Sequence, residues 1–172
     1  RRYFEDTYDD VNWTVCPKVD IEKPQENKMG NLSCDADVLP MQIAAFEKKY
    51  MISRNEFYIA ATLLAIAVNT GKNDIQVSWI YNGRDDEAAF SSVGLLYRDL
   101  PVAVRLSDGM NLRDIISEIH EQVQNGIKYS CYPYVENNPN IVDGDVTGVL
   151  FQSDLYDMET LDAFNIGTVD IR

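Results

Sequence analysis

A chain of 172 residues with 45% hydrophobic and 25% charged residues is long enough to bury one core, and its composition is far from that of a disordered segment. Its 28 acidic and 15 basic residues give a formal charge of -13, which repels phosphate backbones and anionic lipid, so neither nucleic acid nor a membrane is an expected partner. Cys16, Cys34 and Cys131 are odd in number and widely spaced, which argues against a disulfide framework or a zinc site and fits a reducing, cytoplasmic setting.

Residues 1–30 are polar, with Pro17, Pro24 and Gly30, and carry a short amphipathic opening at Tyr3, Phe4 and Tyr8. They read as a small helix followed by a connecting arm, with the core over residues 31–172. The sequons at Asn12 and Asn31 follow no signal peptide and are set aside. "NLSCDADV" reads as a strand, and Asp37 to Tyr50 as an amphipathic helix with Met41, Ala44, Ala45 and Phe46 at helical spacing. Ser53 and Glu56 form a Ser-x-x-Glu capping box ahead of "FYIAATLLAIAV". That run is 12 residues long, too short for the roughly 20 needed to span a bilayer, so it reads as a core helix buried on nearly every side. Asn69-Thr70-Gly71 closes it.

Ile75, Val77, Trp79 and Tyr81 alternate with Gln76 and Ser78, the pattern of a strand with one covered face that ends at Asn82-Gly83. Leu100, Val102, Val104 and Leu106 repeat the alternation, and Pro101 assigns the start of this strand to an edge or a bulge. After a turn at Ser107-Asp108-Gly109, Asn111 caps a helix with Leu112, Ile115, Ile116, Ile119 and Val123 on one stripe and Gly126 as its stop. Loop residues fill Tyr129 to Asp145, and "VTGVLFQSDLY" and "IGTVDI" read as two more strands. The chain starts without Met and stops directly after a strand-like stretch, so both ends read as cut from something longer. Strands interleaved with long amphipathic helices imply an α/β fold: a mixed sheet packed by helices on one face.

Catalytic chemistry is sparse. The only histidine, His120, sits in mid-helix beside the apolar stripe and reads as a helix-boundary residue, not as a general base. Gly-x-Ser-x-Gly, phosphate-loop and dinucleotide glycine patterns are absent. Asp85-Asp86-Glu87 reads as negative charge for the first turn of a short helix, and Asp143-Gly144-Asp145 as a turn without the ligand count of a calcium loop. No metal site and no catalytic residue are expected in this chain. Arg84 stands out: a guanidinium just past a strand end, behind a glycine that lets the backbone turn, is placed to hold a carboxylate bidentately.

From Asn55 to Tyr134 these segments, in order, resemble the C-terminal half of the condensation domains of nonribosomal peptide synthetases. "NEFYIAATLLAIAVNTGKNDIQVSWIYNGRDD" resembles the family's buried helix, turn and Arg-ended strand. "SSVGLLYRDLPVAVRL" resembles its V-G-F-x-N-T-L-P-L-R-V motif, and "NLRDIISEIHEQVQNGIKYSCYPY" its next helix and H-Q-D-Y-P-F motif. The resemblance implies one lobe, over residues 1–172, of a two-lobed enzyme whose lobes are chloramphenicol acetyltransferase-like, with the active site between them.

The family's His-His-x-x-x-Asp-Gly signature belongs to the other, N-terminal lobe and is absent here. By the resemblance, Arg84 would support the aspartate of that signature, and Gly83, Val93, Gly94, Leu96, Arg98, Leu100, Tyr132 and Pro133 would line or shape a tunnel. The tunnel would receive aminoacyl and peptidyl thioesters on the phosphopantetheine arms of peptidyl carrier proteins, with no cofactor bound directly. The implied partners are the N-terminal lobe and the carriers, and a lone lobe would be inactive and prone to self-association through its uncovered apolar surface. Where the family has Asn-Thr this chain has Arg98-Asp99, and of the H-Q-D-Y-P-F motif only Tyr132-Pro133 is kept. These departures motivate a second reading: a non-catalytic platform of the same fold that docks carriers or tailoring enzymes.

Overall fold

A computed structural model of the protein describes residues 1–9, 39–84, 87–138 and 148–149. The strand expected at 31–38, the sequons, Cys16, Cys34, Asp85, Asp86, the turn at 143–145 and the last expected strand lie outside the described residues. The elements in order are α1 (Arg2–Tyr8), α2 (Pro40–Tyr50), α3 (Arg54–Thr70), β1 (Asp74–Tyr81), α4 (Glu87–Ser91), β2 (Arg98–Arg105), α5 (Leu112–Lys128), α6 (Tyr134–Asn137) and β3 (Gly148–Val149).

The sheet is mixed, in the order β2-β1-β3. β2 returns antiparallel to β1, pairing Ile75 with Val104, Val77 with Val102, Trp79 with Leu100 and Tyr81 with Arg98, while β3 runs parallel to β1 at Ser78 and Trp79. The apolar residues of the first three pairs share one face, and α3 and α5 pack against the strands. Gly126 of α5 places its bare backbone against Leu100, with Leu100 Cδ1 3.6 Å from where a Cβ would stand. That is an ordinary contact distance, and Gly126 lies inside the helix and is not the helix stop expected of it. The helix runs on to Lys128 and closes when the Tyr129 N–H donates to the carbonyls of Asn125 and Ile127.

Local chemistry starts the helices where the sequence places them. Ser53 Oγ accepts from the Glu56 N–H while a Glu56 carboxylate oxygen accepts from the Ser53 N–H. Asn111 Oδ1 accepts from the N–H groups of Arg113 and Asp114, at 2.9 and 3.1 Å. Three burial expectations are corrected. α3 is not buried all round: Ile59, Leu63, Ile66 and Ala67 face the core, but Tyr58, Ala61, Ala65 and Val68 form an exposed stripe, with Val68 83% exposed. On α2 the buried residue is Ile43, while Met41, Ala44 and Ala45 are exposed, because only the Ile43 side of this helix meets α3. β1 is covered on both faces: Gln76 is 1% exposed and Ser78 is buried.

The outward edge of β2 is closed by a side chain. Gln122 of α5 donates from Nε2 to the Ala103 carbonyl and accepts at Oε1 from the Ala103 N–H, both at 2.8 Å, pairing with β2 as a strand residue would. Oε1 also accepts from the Tyr8 hydroxyl at 3.0 Å, which ties α1 to the same point. Burial pushes the Tyr8 phenol far above its ordinary pKa, so it remains a donor. Two residues along the same edge, Pro101 has no N–H to offer.

Gln122→Ala leaves the Ala103 N–H and C=O and the Tyr8 hydroxyl without their buried partner. It is expected to cost about 2–4 kcal/mol, a fall in Tm of roughly 5–15 °C. Glu121→Ala, an exposed change on the same helix, is expected to move Tm little. Beside the clamp, burial raises the Glu118 carboxyl above the usual carboxylate range, with Arg105 opposing the shift and Glu121 adding to it. The folded state thus holds this proton more tightly than the unfolded one, and that contribution is lost as pH rises through the raised pKa. Glu118→Gln is accordingly expected to flatten the fall in stability with rising pH above the normal carboxylate range, as read by denaturant melts across pH.

Candidate binding cleft

Three segments meet where β1 ends and β2 begins. After Tyr81 the chain turns at Gly83, whose φ of +66° favours glycine and whose Cα lies so close that a Cβ would run into the Leu96 carbonyl oxygen. Arg84 follows, its N–H bonded to Asn82 Oδ1 at 3.0 Å. Its guanidinium gathers the returning chain: Nη1 donates to the carbonyls of Ala89 and Ser92, and Nη2 to that of Gly94. One side chain thus fixes both α4 and the exposed loop that leads into β2.

The third segment is the turn after α5. The N–H groups of Ser130 and Tyr132 donate to the carbonyls of Ile127 and Tyr129, at 3.2 and 3.1 Å. Aromatic rings on α1 hold this turn in place: Tyr3 lies 5.0 Å from Tyr129, and Phe4 6.2 Å from Tyr132 and 5.3 Å from Tyr134, between centroids. The Tyr134 hydroxyl also donates to Asp9 Oδ1 at 3.1 Å. The first helix, with Phe4 and Tyr8 fully buried, is therefore the support on which the turn is built.

Between the three segments lies a cleft of about 170 Å³ lined by Tyr81, Gly83, Leu96, Arg98, Ser130 and Cys131. Gly83, Leu96 and Arg98, far apart in sequence from the turn, come together here. Val93 and Gly94 sit on the outer, exposed side of the Arg84-held loop. Leu100 lies in the core beneath Gly126, and Tyr132 and Pro133 are half-buried just beyond the cleft, with Tyr132 against Phe4. Arg84 stands next to the cleft with its guanidinium turned to its own chain. Tyr81, Ser130 and Cys131 were not singled out from the sequence; Tyr81 is the last strand residue before the Gly83 corner, and Ser130-Cys131 directly precede Tyr132-Pro133.

Among the described residues the lining carries one charged side chain, Arg98. His120 is not among the lining residues. Its Nδ1 lies 2.7 Å from Oε1 of Glu56, a residue 2% exposed, so it joins α5 to the capped first turn of α3. Among the described residues there is no group of three or more His, Cys, Asp or Glu side chains arranged to hold a metal ion. No single helix among them is long and apolar enough to cross a membrane.

The mixed sheet backed by two long helices is similar in fold to part of solved condensation domains. One solved example is the first condensation domain of the calcium-dependent antibiotic synthetase in complex with a substrate analogue: TM-score 0.54, 17% identity, over 63% of this chain and 25% of that one. Another is the condensation domain from the Monacolin K polyketide synthase MokA, at TM-score 0.53 and 19% identity over 69% of this chain and 27% of that one. A third is a four-domain nonribosomal peptide synthetase bound to AMP and glycine, at TM-score 0.58 and 12% identity over 69% of this chain and 10% of that one. The likeness is one of fold, and the chain spans about a quarter of the length of the two condensation domains. No protein-family model and no curated protein matches it.

The Gly83 corner gives a direct check. Gly109 also has positive φ, +84°, but open space around its Cα, so Gly109→Ala is expected to cost only the left-handed penalty of about 1–2 kcal/mol. Gly83→Ala adds a collision with backbone and is expected to cost clearly more than Gly109→Ala in the same denaturant melts.

Proposed function

We propose that this chain is the C-terminal lobe of a nonribosomal peptide synthetase condensation domain, forming one wall of the tunnel in which carrier-bound aminoacyl and peptidyl thioesters are joined. The observation that carries the reading is the meeting of the Gly83-Arg84 corner, the Leu96-Arg98 strand start and the Ser130-Pro133 turn around one cleft. These are the three segments that resemble the family's motifs. In the reaction the acceptor amine attacks the donor thioester carbonyl, a C–N bond replaces the C–S bond, the thiol leaves, and the amine's proton passes to a base. That base belongs to the N-terminal lobe, because His120, the chain's one histidine, is held against Glu56 away from the cleft lining.

The part played by this lobe is to shape and position. Leu96 offers an apolar wall and Arg98 and Ser130 are polar neighbours, a mixture that fits the small substrate group carried at the end of a carrier protein's phosphopantetheine arm. Arg84 is the support residue: its fork already organises three carbonyls of its own loop, and it would extend that support to the aspartate of the partner lobe's signature. Setting the reaction in a peptide-antibiotic or other secondary-metabolic assembly line in the cytoplasm belongs to the same reading.

A second reading, a non-catalytic docking platform, is favoured by one feature. Val93, Leu95 and Tyr97 stand exposed in a row on the Arg84-held loop, a surface suited to a carrier or tailoring enzyme, or to self-association of the lone lobe.

Joining this chain to a condensation N-terminal lobe bearing His-His-x-x-x-Asp-Gly, and supplying loaded donor and acceptor carriers, separates the readings by mass spectrometry of the acceptor carrier. Peptidyl product from the joined lobes and none from the 172-residue chain alone is the expected result. Carrier binding with no product supports the platform, and product from the chain alone refutes the lobe reading.

A further inference from the structure

Arg98 occupies an unusual electrostatic position. The whole chain carries a charge of -13, and Arg98 is the one charged side chain among the described residues that line the cleft. The adjacent acid, Asp99, is next along β2, and successive strand residues point to opposite faces, so it does not share the cleft lining with Arg98. Cross-strand pairing with Tyr81 fixes where the Arg98 side chain leaves the sheet. Its Nη1 donates to the Tyr97 carbonyl at 2.9 Å, which orients the guanidinium plane while engaging one of its five donors. Ser130 and Cys131 complete the lining.

A cation with a planar fork, a serine in the same lining and an apolar wall at Leu96 describe a receptor for a carboxylate on a short carbon stem. We propose that the cleft selects a carboxylate-bearing substrate, with Arg98 as the specificity-determining residue that pairs with the carboxylate. The inference deepens the condensation reading: it assigns an acidic substrate class to the same cleft and rests on that reading for the substrate's role in the reaction.

Two measurements test it independently. In the first, succinate is titrated into the 172-residue chain at fixed ionic strength and followed by the backbone amides of Gly83, Leu96 and Ser130, with succinamide as the neutral counterpart and inorganic phosphate as the competing anion. Saturable succinate shifts, absent with succinamide and weakened about tenfold or more in Arg98→Gln, are expected. Three results overturn the proposal: no saturable shift, a succinate response unchanged in Arg98→Gln, or phosphate binding more tightly than succinate at the same residues, which would assign the site to a phosphate group.

In the second, the joined two-lobe protein is offered acceptor carriers loaded with an acidic amino acid or with its amide. A preference of about tenfold for the acid, brought close to unity by Arg98→Gln, is expected. Turnover without that preference overturns the inference and leaves the condensation reading standing. Absence of any turnover counts against the condensation reading, while the succinate titration still decides whether the cleft takes a carboxylate.

Discussion

One carboxamide organises this structure. Gln122 pairs both its donor and its acceptor with the backbone of Ala103 and takes a third hydrogen bond from Tyr8, so a single side chain of α5 meets the open edge of β2 and the buried face of α1. A bare strand edge invites pairing with another chain, and an unsatisfied amide at a covered edge costs as much as a lost hydrogen bond. Closing the edge with a glutamine answers both problems and fixes α5 in height and rotation against the sheet. Pro101 completes the protection from the other direction, because its nitrogen has no proton to offer.

The cleft inherits its geometry from that constraint. With α5 fixed, the turn that follows it must begin at Tyr129, and the rings of Tyr3 and Phe4 then meet Tyr129, Tyr132 and Tyr134. Tyr8, on the same helix as those two rings, is also the third partner of Gln122, so α1 links the clamp to the turn. The opposite wall is built by a different device: Gly83 brings backbone against the Leu96 carbonyl, and Arg84 holds the intervening loop by its carbonyls. The residues assembled in this way present a concave wall and a cation.

How much of this was readable in the sequence depended on the range of the interaction. Local signals were informative: the Ser53 and Asn111 caps start their helices where expected, the period-two runs at Ile75–Tyr81 and Leu100–Val104 became paired strands, and Pro101 lies on the outer strand of the described sheet. Signals that depend on what covers a residue were misleading. Polar Gln76 and Ser78 suggested an open face on β1, yet both are buried, and the apolar run on α3 suggested complete burial, although Val68 and Tyr58 are exposed. Gly126 has the residue type of a helix stop but lies within α5, buried near Leu100. The Gln122 clamp joins positions 19 and 114 residues apart in sequence, and no local pattern announces it. The site divided in the same way: Gly83, Leu96 and Arg98 came from motif resemblance, whereas Ser130 and Cys131 reach the cleft only because the aromatic cluster folds the turn toward it.

The most direct test of this account is the hydrogen exchange of a single backbone amide, that of Ala103, followed by NMR in the folded chain. With Gln122 bound to it, the Ala103 N–H is expected to exchange as slowly as the amides inside the β1–β2 ladder, and to become fast when Gln122 is replaced by alanine. Exchange at the rate of an open strand edge in the unaltered protein would contradict it, because α5 would then not be locked to the sheet and the cleft would lose the fixed wall on which the proposed function depends.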